Sequence, residues 1–198
     1  MVYFLIRSVS FLILKIFFGL KVNGNANIPK KGGFILASNH ASYLDPIVLG
    51  GACWRKLSFM ARHDLFKNYF SSLLLSSLRV FPVKRNSADL GAIKEAIKRL
   101  KSGGALVLFP EGRRREKNGK DAPPQPGIGF LAAKLGVPII PAFIKGTKEA
   151  MPKGARFIIP KKISVSFSKK IYIERGLPYE KIAQMVMDSI RRLECQLL

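Results

Sequence analysis

The sequence predicts a single α/β domain: a mixed, mostly parallel sheet flanked by helices, with a membrane-associating helix at the N-terminus. Two observations predict the domain. Short apolar, strand-like runs alternate with segments whose apolar residues recur at helical spacing, the pattern of a layered α/β unit. No repeat, low-complexity run or linker divides the 198 residues, which suffice for one substantial core. A third observation, charge, bears on the partner rather than the fold. Lys and Arg number 34 against 12 Asp and Glu, a formal +22, while 48% of residues are hydrophobic. The chain is therefore not a disordered basic tail, and its partner is anionic.

Residues 1–21 are rich in Phe, Ile, Leu and Val but interrupted by Arg7 and Lys15. The charge-free run between them, 8–14, falls far short of the ~20 apolar residues of a spanning helix. Arg7, Ser8 and Lys15 fall on one side of a helical wheel together with Phe4, Phe11 and Phe18. This predicts a helix lying in the membrane interface with snorkelling cations, so 1–21 is set apart from a domain at 22–198. Charges within the apolar region argue against a secretory signal. The rival reading is an N-terminal helix buried against the domain.

Residues 21–33, with Asn, Gly and Pro in their middle, read as a connector. Gly33-Phe34-Ile35-Leu36-Ala37 is a buried-type strand, and a helix opens near Pro46. Lys56-Leu57-Ser58-Phe59-Met60-Ala61 is a second strand; His63 beyond it reads as a surface bystander. Phe66, Tyr69, Phe70, Leu73, Leu74 and Leu78 recur at helical spacing, facing either core or lipid. A strand over 79–85 follows, then a helix with Ser87 as N-cap and Leu90, Ile93, Ile97 and Leu100 as its apolar stripe, stopped at Gly103-Gly104. Ala105-Leu106-Val107-Leu108-Phe109 is a third buried-type strand. A polar loop leads to a short helix over 127–135 and a strand over 136–144, whose prolines suggest an edge or a bulge. Residues 145–161 read as a basic loop, 163–168 as an alternating strand, and the chain ends in an amphipathic helix burying Ile182, Met185, Val186, Ile190, Leu193 and Leu197.

Three polar clusters follow strands: residues 39–45, Lys84-Arg85, and 111–115. If those strands run together, the clusters converge at the carboxyl edge of the sheet, where open α/β sheets bind ligands. Asn39-His40-Ala41-Ser42-Tyr43-Leu44-Asp45 sets an imidazole five residues before a carboxylate. Imidazole suits proton transfer near neutral pH, and a carboxylate can fix its tautomer. Asp45 before Pro46 equally resembles an N-cap, and Ser42 a turn residue, so the residues alone leave both readings open. The arginine forks match phosphate oxygens. The two cysteines, Cys53 and Cys195, have neither disulfide nor metal spacing and read as reduced, buried residues of a cytosol-facing protein. No zinc, calcium or iron–sulfur pattern occurs.

These blocks resemble those of the glycerolipid acyltransferases. Residues 39–45 are similar to an NHxSxxD block, and Phe109-Pro110-Glu111-Gly112-Arg113-Arg114 to an FPEGTR block. Val83-Lys84-Arg85 resembles the arginine-ended segment between them, and Val137-Pro138-Ile139-Ile140-Pro141 the fourth, proline-containing block. The blocks fall in the family's order and cover roughly residues 30 to 170. Size and basic character are most similar to the bacterial 1-acylglycerol-3-phosphate acyltransferases.

The resemblance implies a fold like that of glycerol-3-phosphate acyltransferases. It implies transfer of a fatty acyl group from acyl-CoA or acyl carrier protein to lysophosphatidate at the cytoplasmic face of the inner membrane. His40 would be the general base, oriented by Asp45; Arg85, Glu111, Gly112, Arg113 and Arg114 would hold the phosphate, with Asn39 and Ser42 in support. Neither metal nor cofactor is implied, and anionic membrane lipid is the expected surface. The family's usual threonine is Arg113 here, in a run of three arginines, and Pro82 makes the second block a loose match. The same reaction on glycerol 3-phosphate, a lysophospholipid or a lyso-aminolipid is the nearest rival. A non-catalytic basic protein explains the charge but not the His40 and Glu111 blocks, and no nucleic-acid signature is present.

Overall fold

The computed structural model describes residues 2–84, 89–114, 123–174 and 176–196. Among them, seven strands form one sheet: β1 (Lys21–Asn23), β2 (Phe34–Ser38), β3 (Leu57–Arg62), β4 (Val80–Val83), β5 (Ala105–Leu108), β6 (Ile139–Lys145) and β7 (Ser164–Phe167). Their order is β1-β7-β6-β2-β5-β3-β4, parallel throughout except where β6 meets β7. The expected mixed, mostly parallel sheet is what forms. All six expected strands are present. The seventh, β1, lies in the stretch read as a connector, where three residues with only Val22 apolar carry no period to detect.

The helices are α1 (Val2–Phe18), α2 (Asp45–Ala52), α3 (Tyr69–Ser77), α4 (Leu90–Lys101), α5 (Gly127–Leu135), the single turn α6 (Thr147–Ala150) and α7 (Tyr179–Cys195). Alternation along central β2 explains the layering. Phe34 and Leu36 join one core cluster with Leu14, Phe18, Val48 and Leu49 of α1 and α2. Ile35 and Ala37 join the other, with Ala96 of α4, Leu131 of α5 and Ile182, Val186 and Ile190 of α7. With both faces covered, every residue of β2 is buried.

Several local expectations need correction. The cap of α4 is Asp89, whose carboxylate accepts from Ala92 N at 3.0 Å and Lys84 N at 2.8 Å; Ser87 lies outside the described residues. These bonds hold the Asp89 carboxyl below its usual range. On α7, Met185 is outward and Met187 buried, and Cys195 near its end is exposed, unlike the buried Cys53, while Leu197 lies outside the described residues. Strand β6 is internal, not an edge. Its register with the following chain slips by one residue between Ala142↔Phe167 and Ile139↔Ile171, a bulge beside Pro141. The Pro141 carbonyl still accepts from Ser168 N at 2.8 Å.

One side of helix α1 is packed against the domain. Leu14 and Phe18 pack into the core, each burial contributing about 1.5–3 kcal/mol. The Tyr3 hydroxyl accepts from Leu57 N at 2.8 Å. Phe18 is therefore not on the outward side with Phe4 and Phe11. Arg7 is partly buried, with its Nε inside and its charge reaching both Tyr3 and Cys53. The outward face remains apolar, with Ile16 and Phe17 65% and 61% exposed. Helix α3 buries no residue; Tyr69 and Phe70 stand 75% and 79% exposed. Among the described residues, no helix is long and apolar enough to cross a membrane.

Candidate active site

Strands β2, β5, β3 and β4 run parallel, so the polar clusters after β2, β5 and β4 share the carboxyl edge of the sheet. Strand order sets their spacing. The β2 and β5 clusters are neighbours, whereas β3 stands between β5 and β4 and brings Arg62, His63 and Asp64 to the same edge. Arg62 and Asp64 pair with each other at 2.7 and 2.9 Å, and His63 is exposed. Lys84 is exposed at the far strand; Arg85 and Arg115 lie outside the described residues.

The turn after β2 is built around Asp45. Its Oδ2 accepts from His40 Nδ1 at 2.9 Å, Ala41 N at 2.7 Å and Ser42 N at 2.8 Å. Asp45 is fully buried as the first residue of α2, and its side chain caps nothing in its own helix. The N-cap reading therefore fails: the carboxylate turns back to the preceding loop. Two backbone donors fix the carboxylate, and it fixes the imidazole. With Nδ1 engaged, Nε2 is the nitrogen left to take a proton from an incoming group. Asp45 Oδ1 is buried without a hydrogen-bond partner among the described residues.

Asn39 and Ser42 brace this turn. The Asn39 amide accepts from Ile144 N at 2.8 Å and donates to Ile144 O at 2.9 Å, extending the β2–β6 pairing by one side chain. Ser42 Oγ donates to Met151 O at 2.8 Å and accepts from Leu44 N at 3.2 Å, so its turn role is real.

The turn after β5 presents the second half of the site. Gly112 has φ 66°, and its N–H closes the turn onto Phe109 O at 2.9 Å. A Cβ there would both strain the backbone and press Gln125 Cγ at 3.0 Å. Glu111 is buried, Arg113 exposed and Arg114 partly buried. The Arg114 guanidinium lies 3.6 Å from the Tyr43 ring centroid, joining this turn to the His40 turn. Its Nη1 is buried with no hydrogen-bond partner among the described residues. A charged donor left unmatched where the two turns meet is what an anionic group would complete.

Sequence reasoning assigned no role to three contributors. Phe109 stacks on the His40 ring, centroids 4.1 Å apart and planes 18° apart, holding its second degree of freedom. Tyr43 carries Arg114, and the Met151 carbonyl holds Ser42. The motif blocks contain Phe109 and Tyr43, but their pairing depends on β5 lying beside β2. Among the described residues, no group of three or more His, Cys, Asp or Glu is placed to hold a metal.

Comparison with known proteins fits this geometry. Residues 19–145 match the model of the acyltransferase family. The 1-acyl-sn-glycerol-3-phosphate acyltransferase of Bacillus subtilis is 33% identical over 152 residues, 75% of this chain and 75% of that protein. The protein of the same name from Borreliella burgdorferi is 28% identical over 178 residues, covering 87% and 71%. A chloroplastic one from Brassica napus is 30% identical over 146 residues, 72% of this chain but 42% of that longer protein. Among solved structures, the 1-acyl-sn-glycerophosphate acyltransferase of Thermotoga maritima superposes with a TM-score of 0.80 at 27% identity, covering 98% of this chain and 80% of the other.

Proposed function

The chain belongs to the acyltransferase family, and on that premise we propose that it transfers a fatty acyl group from an acyl thioester to the free hydroxyl of 1-acylglycerol 3-phosphate, giving phosphatidic acid. The observation that carries this reading is the His40–Asp45 contact of 2.9 Å, made by a carboxylate that two backbone N–H groups already hold. His40 Nε2 takes the proton of the acceptor hydroxyl as its oxygen attacks the thioester carbonyl carbon. The tetrahedral intermediate collapses, the C–S bond breaks, and the departing thiolate takes the proton back from Nε2. The route uses no enzyme nucleophile. Arg114, with Glu111, Gly112 and Arg113 of the same turn and with Arg85, which follows β4 in sequence, binds the acceptor phosphate; Asn39 and Ser42 keep the dyad in place.

The donor is acyl-CoA or acyl carrier protein, both acidic, in keeping with the formal +22. The same reading sets the chain on anionic lipid at the cytoplasmic face of the inner membrane. Residues 1–21 act as an interface helix beside a domain at 22–198. The exposed apolar faces of α1 and α3 support this surface attachment.

The test is a panel in which purified protein and a labelled acyl thioester meet lysophosphatidate, glycerol 3-phosphate, a neutral lysophospholipid and a lyso-aminolipid. Lysophosphatidate should be acylated preferentially. Equal transfer to the neutral lysolipid would remove phosphate recognition from the account.

A further inference from the structure

Beyond α1 and α3, one segment beside the site exposes three consecutive apolar side chains. Residues 151–162 run as a strap from the catalytic turn to the end of α1. At its start, Met151 O accepts from Ser42 Oγ at 2.8 Å; at its far end, Ile163 N donates to Phe18 O at 2.9 Å and Ile163 O accepts from Lys21 N at 3.0 Å. Between these ties, Ile159 N donates to Ala150 O at 2.9 Å, and Phe157, Ile158 and Ile159 stand 81%, 49% and 55% exposed. Arg156, Lys161 and Lys162 flank the triplet, Lys148 and Lys153 precede it, and all five are exposed. Glu149 is the one acid between 147 and 162.

We propose that this strap is a membrane-docking element that inserts Phe157, Ile158 and Ile159 into an anionic bilayer next to the catalytic turn, with its cations on the headgroup phosphates. Three adjacent apolar side chains are too few for the core of a protein interface, and cores of that kind are depleted in charge. A short apolar tip ringed by cations suits the headgroup boundary of anionic lipid. Continuity adds to this: the strap is tied to the last residue of α1, where Ile16 and Phe17 also face outward. Because its first residue holds Ser42, the strap fixes how far the His40 turn sits from the lipid surface. A lysolipid acceptor then leaves the bilayer only as far as its glycerol. This inference rests on the acceptor being a membrane lysolipid.

Its test uses the full chain and reads binding separately from turnover. Sedimentation with phosphatidylcholine vesicles, with and without phosphatidylglycerol, compares wild type with Phe157→Ser/Ile159→Ser and with Arg156→Glu/Lys161→Glu. Each pair should lower affinity for the phosphatidylglycerol vesicles about tenfold or more. Each should also raise the apparent KM for vesicle-borne lysophosphatidate by a similar factor, with turnover of a short-chain, monomeric acceptor unchanged. Unchanged vesicle affinity in both pairs would overturn the proposal. So would an equal loss on the monomeric acceptor, or a charge-reversal defect confined to a carrier-protein donor. Because sedimentation needs no acyl transfer, a wild type that binds vesicles through the strap yet spares lysophosphatidate would refute the acceptor, not the docking.

Discussion

The two edges of the sheet use arginine in opposite ways. At the amino edge, Arg55 donates to Pro29 O at 2.6 Å, Gly32 O at 3.1 Å and Gly103 O at 2.7 Å, with its guanidinium 5.4 Å from the Phe34 ring and 5.8 Å from the Trp54 ring. It ties together the turns that lead into β2 and β5. At the carboxyl edge, Arg114 also rests on an aromatic ring, yet one of its donors is buried and unmatched. Both are planar cations on aromatic supports, and net charge treats them alike. What separates them is saturation: a guanidinium with its carbonyls in place is part of the fold, and one held stiff with a donor unmet is poised for a ligand.

That contrast can be broken by substitution. Arg55→Met should destabilise the chain by about 2–3 kcal/mol, since two partly buried carbonyls and one exposed carbonyl lose their donor, while KM for lysophosphatidate stays within twofold. Denaturant unfolding beside steady-state kinetics would check it. Arg114→Ala should do the reverse: little change in stability, and a rise in acceptor KM of about 10- to 100-fold, the equivalent of one charge-assisted hydrogen bond. If Arg113→Ala raises KM instead, the phosphate is held by the neighbouring guanidinium. Tyr43→Leu sharpens the comparison by removing only the support; a loss of about 3- to 10-fold in kcat/KM is expected, from a cation–π contact on the order of 1 kcal/mol.

The smallest effect concerns pH. Backbone hydrogen bonds from Lys84 and Ala92 hold the Asp89 carboxyl below its usual range. Its stabilisation is therefore present above the unfolded carboxylate value of about 4 and is lost as pH falls through the lower folded value. Asp89→Asn should lower Tm slightly at neutral pH and flatten its acid-side decline. A decline as steep as in wild type would show that other carboxylates govern the acid limb.

How much of this the sequence discloses depends on how local the information is. The His40 and Glu111 turns are contiguous blocks after apolar strands, so they are legible residue by residue. Tyr43 with Arg114 and Phe109 with His40 are not, because each pair needs β5 beside β2, and strand order leaves no local mark. An apolar run at helical spacing reads the same whether it faces the core or the outside, so only the structure shows that α3 turns away from the core. Arg55 is illegible for a related reason: its acceptors are backbone carbonyls in two distant turns. The 21–23 strand is too short to show a period.

The central claim is that His40 is a base held by Asp45, and acyl transfer by wild type and His40→Ala side by side tests it most directly. Labelled acyl thioester and lysophosphatidate are the substrates, and vesicle sedimentation of both proteins is the control. His40→Ala should lose about 10²- to 10⁴-fold in turnover, with vesicle binding unchanged. Near-normal turnover in the variant would contradict it.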